Sequence, residues 1–269
     1  MAIDILICTF NKGIVRVVDI FLPPTANIRY IVSFQYTDER FLALIPDVIQ
    51  TREDVKLYKY KGKGLSANRN LALEQATADL VLYADDDAHF TPDSFSDITK
   101  VFEENPSLDV ALFQAYSYTG KPLKQYATTE LDYTKGGGFL GISALEIVVR
   151  RTSVQGKIRF DERFGLGTQF LTCGEEEIWM ADARSAGLVM RYFPKKIVET
   201  STMLKGNLVY VDAGVQRSKG AILYYSYGAK AWWLSFSFAL QSAMKRMCHF
   251  WPMFRNMLEG INYVRRTSR

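Results

Sequence analysis

Short apolar runs alternate with amphipathic stretches through the first part of the chain. The apolar runs are rich in β-branched and aromatic residues and end at turn signals, which is typical of buried strands. They span residues 3–8, 28–34, 55–60, 80–84 and 109–115. Amphipathic stretches over residues 14–22, 66–76 and 92–104 predict the intervening helices. This alternation predicts an α/β fold with a mostly parallel sheet flanked by helices.

The second part of the chain has fewer regular elements. Residues 146–150 and 188–193 predict two more strands, and residues 175–186 predict a helix that ends at Gly187. Residues 116–143 lack a regular pattern and contain a run of three glycines. A long irregular stretch inside a compact domain is often a functional loop.

Composition and charge exclude several classes of protein. Hydrophobic residues make up 48% of the 269 residues, which is enough for a full core and excludes a disordered chain. The three cysteines are widely spaced, which argues against a disulfide framework or a zinc site and fits a reducing compartment. The net charge of +4 arises in residues 245–269, where six Lys and Arg residues accompany one acid, so we expect no nucleic-acid binding. The chain opens on an apolar run without a basic region, and we expect no signal peptide.

Three consecutive carboxylates, Asp85, Asp86 and Asp87, directly follow the predicted strand 80–84. In open α/β sheets, ligands bind outside the carboxyl ends of the strands. Adjacent carboxylates repel one another unless a positive group joins them, and their oxygens suit Mg²⁺ or Mn²⁺. Because Mg²⁺ is usually held by one or two carboxylates and substrate phosphates, the stretch predicts a metal that carries a phosphorylated ligand. The alternative is an acidic turn that leads into a helix cap.

Polar residues at two other places suit a phosphate group. Asn11 and Lys12 follow the first strand, and Ser66, Asn68 and Arg69 lie at the start of a helix. Helix N-termini and cationic side chains both attract phosphate. The alternative for the helix start is that Ser66 caps the helix and Arg69 is solvated.

Five motifs follow one another along the chain. They are Thr9-Phe10-Asn11, Ser66-Ala67-Asn68-Arg69-Asn70, Asp85-Asp86-Asp87, Phe160-Asp161-Glu162-Arg163-Phe164-Gly165 and Gly174-Glu175-Glu176. In this order they resemble the family-2 glycosyltransferases of the GT-A fold, over about residues 3–230. The resemblance implies a GT-A-like enzyme that moves a sugar, with inversion, from a UDP- or GDP-type nucleotide-diphospho-sugar to an acceptor hydroxyl.

The resemblance also implies roles for individual residues. Asp85 and Asp87 would hold Mn²⁺ or Mg²⁺ on the donor diphosphate. Glu176 takes the place of the family's general base, and Glu175 is the second candidate. The expected donor-binding residues are Thr9, Asn11, Asp38, Ser66, Arg69, Asp85 and Asp86. The alternative for the two glutamates is that the helix dipole favours acids at a helix N-terminus.

Three positions depart from the family pattern. The second strand leads into Gln35-Tyr36-Thr37-Asp38 where the family often has an Asp-Asp-Gly-Ser run, so Asp38 or Gln35 is expected to contact the base instead. Glu176 replaces the usual Asp. Glu199 lies where the family often has a His, and we expect it to complete the metal ligands.

The C-terminal segment has an apolar stripe at helical spacing with basic residues between. The stripe consists of Trp233, Phe236, Leu240, Met244, Met247, Trp251, Phe254 and Leu258. The pattern predicts an amphipathic helix, broken or kinked near Pro252. The uncharged run 231–243 is too short to cross a bilayer, which needs ~20 apolar residues. The stripe therefore either packs on the catalytic domain or lies on an anionic membrane surface.

These observations predict a GT-A-like catalytic domain over residues 1–230 and an amphipathic, basic helical C-terminal extension over residues 231–269. We expect a metal-dependent, inverting glycosyltransferase of the hexosyltransferase type in bacterial surface polysaccharide assembly. Its acceptor would be a saccharide or a lipid-linked hydroxyl. Its location would be cytoplasmic, with peripheral contact to the inner face of the membrane through the C-terminal helices.

Two other functions remain open at this point. One is a catalytically inactive nucleotide-sugar-binding or scaffold protein, because Glu replaces Asp at the base position. The other is a nucleotidyltransferase, which residues 9–13 disfavour because they match a Gly-rich, basic phosphate loop poorly.

Overall fold

The computed structural model describes residues 1–136, 141–201 and 206–267. The strands in this part of the chain form one mixed sheet. They are β1 (Ile3–Phe10), β2 (Ile28–Tyr36), β3 (Val55–Lys61), β4 (Leu80–Asp85), β5 (Ala88–His89), β6 (Val110–Ser117), β7 (Leu131–Asp132), β8 (Ile147–Arg150) and β9 (Met190–Thr200). The α-helices are α1 (Asp47–Thr51), α2 (Leu65–Glu74), α3 (Pro92–Glu104), α4 (Arg151–Val154), α5 (Glu175–Ser185), α6 (Ala213–Tyr227), α7 (Ala231–Met244) and α8 (Phe250–Arg266). Short 3-10 helices cover Asn11–Ile20, Glu39–Leu44, Ala144–Glu146, Gly206–Tyr210 and Gly228–Lys230.

The chain forms two compact units. The first comprises Met1–Lys63, Ala67–Arg159 and Asp182–Leu204, and the second comprises Gly64–Ser66, Phe160–Ala181 and Lys205–Arg269. Helices α6, α7 and α8 all belong to the second unit. The domain division predicted after residue 230 therefore does not coincide with a boundary between these units, and it stays a prediction.

The sheet belongs to the first unit and runs in the order β3-β2-β1-β4-β8-β6-β9-β5, with β7 also paired to β9. The predicted parallel pairing is confirmed for β1 to β4 and for β6 with β9. In contrast, β8 is antiparallel to both of its neighbours. Antiparallel neighbours need no crossover helix, and the irregular connection between β6 and β8 contains none among its described residues.

Strands β1, β2 and β4 are buried along almost their whole length. One continuous core cluster includes Ile5 and Ile7 from β1, Ile14 and Val17 from the 3-10 helix that follows, and Phe102 from α3. Central parallel strands are covered on both faces, which is why their sequences are apolar runs without alternation. This burial fixes the carboxyl ends of β1, β2 and β4 as a common edge.

Local signals predicted some element starts correctly and others incorrectly. Thr91 caps α3 and Pro92 occupies its first position, as expected. The helix predicted over residues 14–22 is instead a 3-10 helix over Asn11–Ile20. Ser66 was expected to cap a helix, but it lies inside α2.

Helix α6 had no counterpart in the pattern analysis. Its buried positions include Gly214, Gln216, Ser218 and Gly220. A buried face made of small and polar residues lacks the apolar periodicity by which an amphipathic helix is recognised.

The break predicted near Pro252 lies just before this residue. Helix α7 ends at Met244 and α8 begins at Phe250, while Pro252 lies in the first turn of α8. A proline is tolerated in a first turn because its missing N–H would have no partner within the helix. No helix among residues 1–136, 141–201 and 206–267 is long and apolar enough to cross a membrane.

Helices α6 and α8 approach each other through two glycines. A Cβ on Gly220 would lie 2.0 Å from the carbonyl oxygen of Met257, and a Cβ on Gly260 would lie 1.9 Å from that of Arg217. Both contacts are with backbone, which cannot move aside as the end of a flexible side chain can. The packing of the second unit therefore depends on the absence of a side chain at these positions.

We expect Gly220→Ala to lower the free energy of unfolding by about 1–3 kcal/mol, because overpacking separates α6 from α8. The loss would occur although alanine favours an isolated helix by about 1 kcal/mol over glycine. Chemical denaturation measures the change. Gly136→Ala is the control, since a Cβ there lies more than 4 Å from the other described residues outside its immediate chain neighbours. Equal stabilities of the two variants would contradict the glycine contact.

Candidate functional site

Polar side chains meet where β1, β2 and β4 end in the first unit. Asn11 follows β1 with a left-handed backbone (φ 49°), which asparagine tolerates better than most residues. Its amide oxygen accepts a hydrogen bond from the Thr37 backbone N–H at 3.0 Å, and its Nδ2 donates to Thr37 Oγ1 at 3.1 Å. Asn11 therefore joins the end of β1 to the residue that follows β2.

Asp86 is held against the end of β1. Its carboxylate accepts hydrogen bonds from the Thr9 hydroxyl at 2.9 Å and from the Arg16 guanidinium. The backbone of Gly13 also passes so close that a Cβ there would lie 1.8 Å from Asp86 Oδ2. A glycine in the loop after β1 thus makes room for the middle carboxylate.

Asp85 pairs with a buried cation. Arg69 is 3% exposed, and its guanidinium lies 3.7 Å from Asp85 Oδ1. The neighbouring Cys8 is buried as well, and its burial raises the pKa of the thiol to about 12, against the opposing effect of Arg69. The alternative of a solvated Arg69 is therefore wrong. Arg69 places a fixed positive charge at this end of β4.

Asp87 contacts the end of β9. Its Oδ1 accepts a hydrogen bond from Thr200 Oγ1 at 3.1 Å, and its Oδ2 accepts one from the Ser201 hydroxyl. The Tyr118 hydroxyl donates to the Asp87 carbonyl. Burial raises the pKa of Tyr118, and the negative charge of Asp87 adds to the rise, so this phenol stays protonated at neutral pH.

Asn68 has a structural part in the same unit. Its Nδ2 donates to the Thr9 and Ser33 carbonyls at 3.2 Å and 3.1 Å, while its Oδ1 accepts from the Ser33 hydroxyl at 2.5 Å. These bonds tie α2 to β1 and β2. The amide of Asn68 is therefore occupied by backbone, and the sequence interpretation of Asn68 as a phosphate ligand is not supported.

Two predicted site residues have other partners in the structure. Asp38 caps the 3-10 helix Glu39–Leu44 by accepting from the Arg40 N–H at 2.9 Å. Glu199 accepts a hydrogen bond from Lys196 Nζ at 2.5 Å. Among the described residues, no three His, Cys, Asp or Glu side chains lie close enough together to hold a metal ion. Glu199 therefore does not join Asp85 and Asp87 in a group of three metal ligands.

The pair Asp85 and Asp87 nevertheless fits a hard divalent cation. Carboxylate oxygens are the ligands that Mg²⁺ prefers, and two suffice when substrate phosphates supply others. Asp85 is 31% exposed at the end of its strand, so its oxygens are accessible. The metal assignment stays a prediction that rests on these two residues.

The remaining predicted residues lie in the second unit. Ser66 donates a hydrogen bond to the Phe164 carbonyl at 2.7 Å. Gly165 has a left-handed backbone (φ 100°), and a Cβ there would lie 2.9 Å from the Glu175 carboxylate and 3.0 Å from Ser66 Oγ. Ser66 and Glu175 are both buried. The Phe-Gly pair of the fourth motif thus makes the turn against which they pack.

Glu175 and Glu176 open α5 with different exposure. Glu175 is 5% exposed, whereas Glu176 is partly exposed. Successive helical residues point about 100° apart, so burial of one side chain does not require burial of the next. Of the two candidates, Glu176 is the carboxylate more accessible to a substrate.

Arg163 fastens the loop of the fourth motif within the second unit. Its guanidinium forms a two-point ion pair with Asp161, at 2.9 Å and 2.7 Å. It also donates to the Tyr225 hydroxyl of α6 and to the Thr267 carbonyl just after α8, the latter at 2.5 Å. The motif therefore has a structural function in addition to its position before α5.

Four residues that contact the acids were not predicted from the sequence: Arg16, Tyr118, Thr200 and Ser201. A lone basic residue after a Thr-x-Asn motif is a weak signal for Arg16. Nothing in the local sequence distinguishes Tyr118 or Ser201 from ordinary loop residues.

Comparison with known proteins supports the fold and the family. No curated protein sequence matches the chain. Among solved structures, S. aureus TarS aligns over 97% of this chain and 54% of its own, with 13% identity and a TM-score of 0.57. TarS 1–349 in complex with UDP aligns over 90% of this chain and 73% of its own, with 15% identity and a TM-score of 0.54. TarS 1–349 in complex with UDP-GlcNAc aligns over 98% and 92%, with 13% identity and a TM-score of 0.57.

The chain spans about half the length of the longer TarS chain. At these identities the likeness is one of fold, and it confirms the predicted GT-A-like α/β architecture with a helical C-terminal region. The predicted family is also confirmed. The model of glycosyl transferase family 2 matches residues 4–164, more than half of the chain, and the chain therefore belongs to this family.

Proposed function

We propose that this chain transfers a hexosyl group, with inversion, from a nucleoside-diphosphate sugar to an acceptor hydroxyl. The observation that carries the proposal is the end of β4, where Asp85, Asp86 and Asp87 each have separate partners beside the buried Arg69. Membership of glycosyl transferase family 2 supports the reaction type. The family membership and the poor match of residues 9–13 to a Gly-rich, basic phosphate loop disfavour a nucleotidyltransferase.

The donor side of the site would combine the permanent positive charge of Arg69 with that of a bound metal ion. Asp85 and Asp87 would hold Mn²⁺ or Mg²⁺ together with the donor diphosphate, and such an ion stabilises negative charge on a leaving diphosphate. Thr9, Asn11 and Arg69 line the same edge of the first unit and would contact the nucleotide. UDP is the first nucleotide to test, because TarS structures of similar fold contain UDP and UDP-GlcNAc; GDP is the alternative.

On the acceptor side, Glu176 would act as the general base. The acceptor oxygen attacks the anomeric carbon from the face opposite the leaving group, which inverts the configuration. The new carbon–oxygen bond forms as the bond to the diphosphate oxygen breaks, and that electron pair leaves with the nucleoside diphosphate. The proton of the acceptor hydroxyl passes to the Glu176 carboxylate.

The biological setting follows from the same resemblance. We infer a role in bacterial surface polysaccharide assembly, with a saccharide or a lipid-linked acceptor. A lipid-linked acceptor would suit a cytoplasmic enzyme that makes peripheral contact with the inner face of the membrane through its C-terminal helices.

We expect Mn²⁺ and a UDP-sugar together to raise the midpoint of thermal unfolding, because a ligand that binds only the folded state stabilises it. The same mixture should slowly release UDP by hydrolysis of the donor. A screen of UDP- and GDP-sugars, with and without Mn²⁺, measures both quantities. Binding without hydrolysis or transfer to any acceptor would favour the inactive nucleotide-sugar-binding protein instead.

Asp87→Asn should weaken donor binding in the presence of Mn²⁺ by at least the roughly 10-fold that loss of a metal's outer partner costs. The fold should persist, because the asparagine oxygen still accepts from Thr200 or Ser201. Isothermal titration with the donor measures the change. Asp47→Asn, which removes an exposed carboxylate on α1, is the control. If the Asp87→Asn variant bound the donor in Mn²⁺ as tightly as the unaltered protein, Asp87 would be excluded as a metal ligand.

Glu176→Gln should lower turnover by ~10²-fold or more and spare donor affinity, because a base acts in the transition state. Steady-state transfer kinetics measure the loss. Glu177→Gln makes the same charge change one residue later and should have little effect.

Glu175→Gln separates the two candidates for the base. It should mainly alter stability, because Glu175 is buried against Gly165 and Ser66. Near-normal transfer by Glu176→Gln, together with loss of transfer in a folded Glu175→Gln, would assign the base to Glu175.

A further inference from the structure

The stripe predicted along the C-terminal segment divides into a packed part and an exposed part. Phe236, Phe250 and Phe254 pack on one another with ring centroids 5.4–5.6 Å apart. Five other apolar side chains on α7, on α8 and in the turn between them are exposed. We refer to these five as the hairpin surface: Trp233, Leu240, Met244, Met247 and Trp251.

The exposure of the largest members is high for such side chains. Trp233 is 71% exposed, Met244 is 76% exposed and Trp251 is 74% exposed. Single exposed apolar residues need no explanation, but a contiguous group marks an interaction site. The two tryptophans flank one aromatic cluster, because Trp233 stacks on Phe236, Phe236 contacts Phe250, and Trp251 packs edge-on against Phe250.

Basic residues accompany the hairpin surface. Lys230, Lys245 and Arg246 are exposed before α7 and in the turn after it. Glu259 is the only acid from residue 230 to the end of the chain, and it lies within 4 Å of Arg255 and Arg217. The segment from residue 230 onwards therefore carries an excess of positive charge, which complements an anionic partner.

In the turn after α7, an arginine occupies a backbone conformation that is unfavourable for residues other than glycine. Arg246 has a left-handed backbone (φ 56°), where glycine is the usual residue after a helix. Arg246, Met247 and His249 line a groove of about 600 Å³. A groove of this size that contains Arg246 can receive an anionic headgroup, and tryptophan side chains prefer the interface of bilayers.

We propose that the hairpin surface binds a bilayer that contains anionic phospholipid, with Trp233 and Trp251 in the interface and Lys245 and Arg246 on the headgroups. The inference rests on the peripheral membrane contact in the proposed function and specifies the surface and the lipid chemistry. It commits to a lipid surface because both tryptophans and cations are present together, whereas a second copy of this chain would bring the same positive charge.

Vesicle co-sedimentation of the full chain tests this proposal. We expect binding to vesicles of phosphatidylcholine mixed with phosphatidylglycerol, much weaker binding to pure phosphatidylcholine, and loss of binding as salt rises. Lys245→Gln combined with Arg246→Gln should lower affinity about tenfold or more. Trp233→Ser combined with Trp251→Ser should lower it on the same vesicles.

Matched controls keep the result interpretable. Lys56→Gln combined with Lys100→Gln removes two exposed positive charges from the first unit and should leave vesicle binding unchanged. Thermal unfolding should show that all variants are folded. Equal loss of binding in this control pair, or no preference of the intact chain for anionic vesicles, would overturn the proposal.

Two further readouts separate the competing outcomes. A dimer that dissociates in the tryptophan variants, without vesicle binding, would assign the surface to a second copy of this chain and overturn the lipid proposal. Donor hydrolysis is measured on the same samples. Vesicle binding without hydrolysis would support the hairpin surface while contradicting the proposed catalytic function, and hydrolysis without vesicle binding would do the reverse.

Discussion

Repulsion among three consecutive carboxylates is the constraint on which the candidate site depends. Two unit charges about 4 Å apart repel by ~4 kcal/mol near a protein surface. The fold relieves this by giving each acid its own partners: Arg69 for Asp85, Arg16 and Thr9 for Asp86, and Thr200 with Ser201 for Asp87. These partners come from β1, the 3-10 helix after it, α2 and the end of β9. The acids therefore help to determine how the elements of the first unit meet.

The elements that sequence patterns predicted correctly are those set by local chemistry. Apolar runs located β1 to β4, and Thr91-Pro92 located the start of α3. The contacts around the acids are set by distant residues instead. Arg16 lies 70 residues from Asp86 in sequence, and Ser201 lies 114 residues from Asp87. Sequence patterns describe residues that are near one another along the chain and do not reveal such distant pairs. The acids, Thr9 and Arg69 were therefore predicted as site residues, whereas Arg16 and Ser201 were not.

The motifs were located correctly from the sequence, but the contacts of their individual residues were harder to predict. Ser66 and Asn68 were candidates for phosphate binding, yet Ser66 donates to the Phe164 carbonyl and Asn68 bonds two strand carbonyls. A hydroxyl or an amide suits a phosphate oxygen and a backbone carbonyl equally well, and only tertiary structure decides between them. Asp38 is a similar case, since its carboxylate caps a 3-10 helix. Arg69 differs because its buried charge has an acid beside it.

The hydrogen bonds of Arg163 connect the loop before α5 to α6 and to the residue that follows α8. One guanidinium holds Asp161, the Tyr225 hydroxyl and the Thr267 carbonyl. Helix ends fray more readily than the segments they pack against. Fraying of the last turn of α8 would remove one of these bonds and slacken the loop before α5, whose first residues include the proposed base. A change that disturbs the end of α8, such as the fusion of a bulky domain, would thus also disturb a loop about a hundred residues earlier in the sequence.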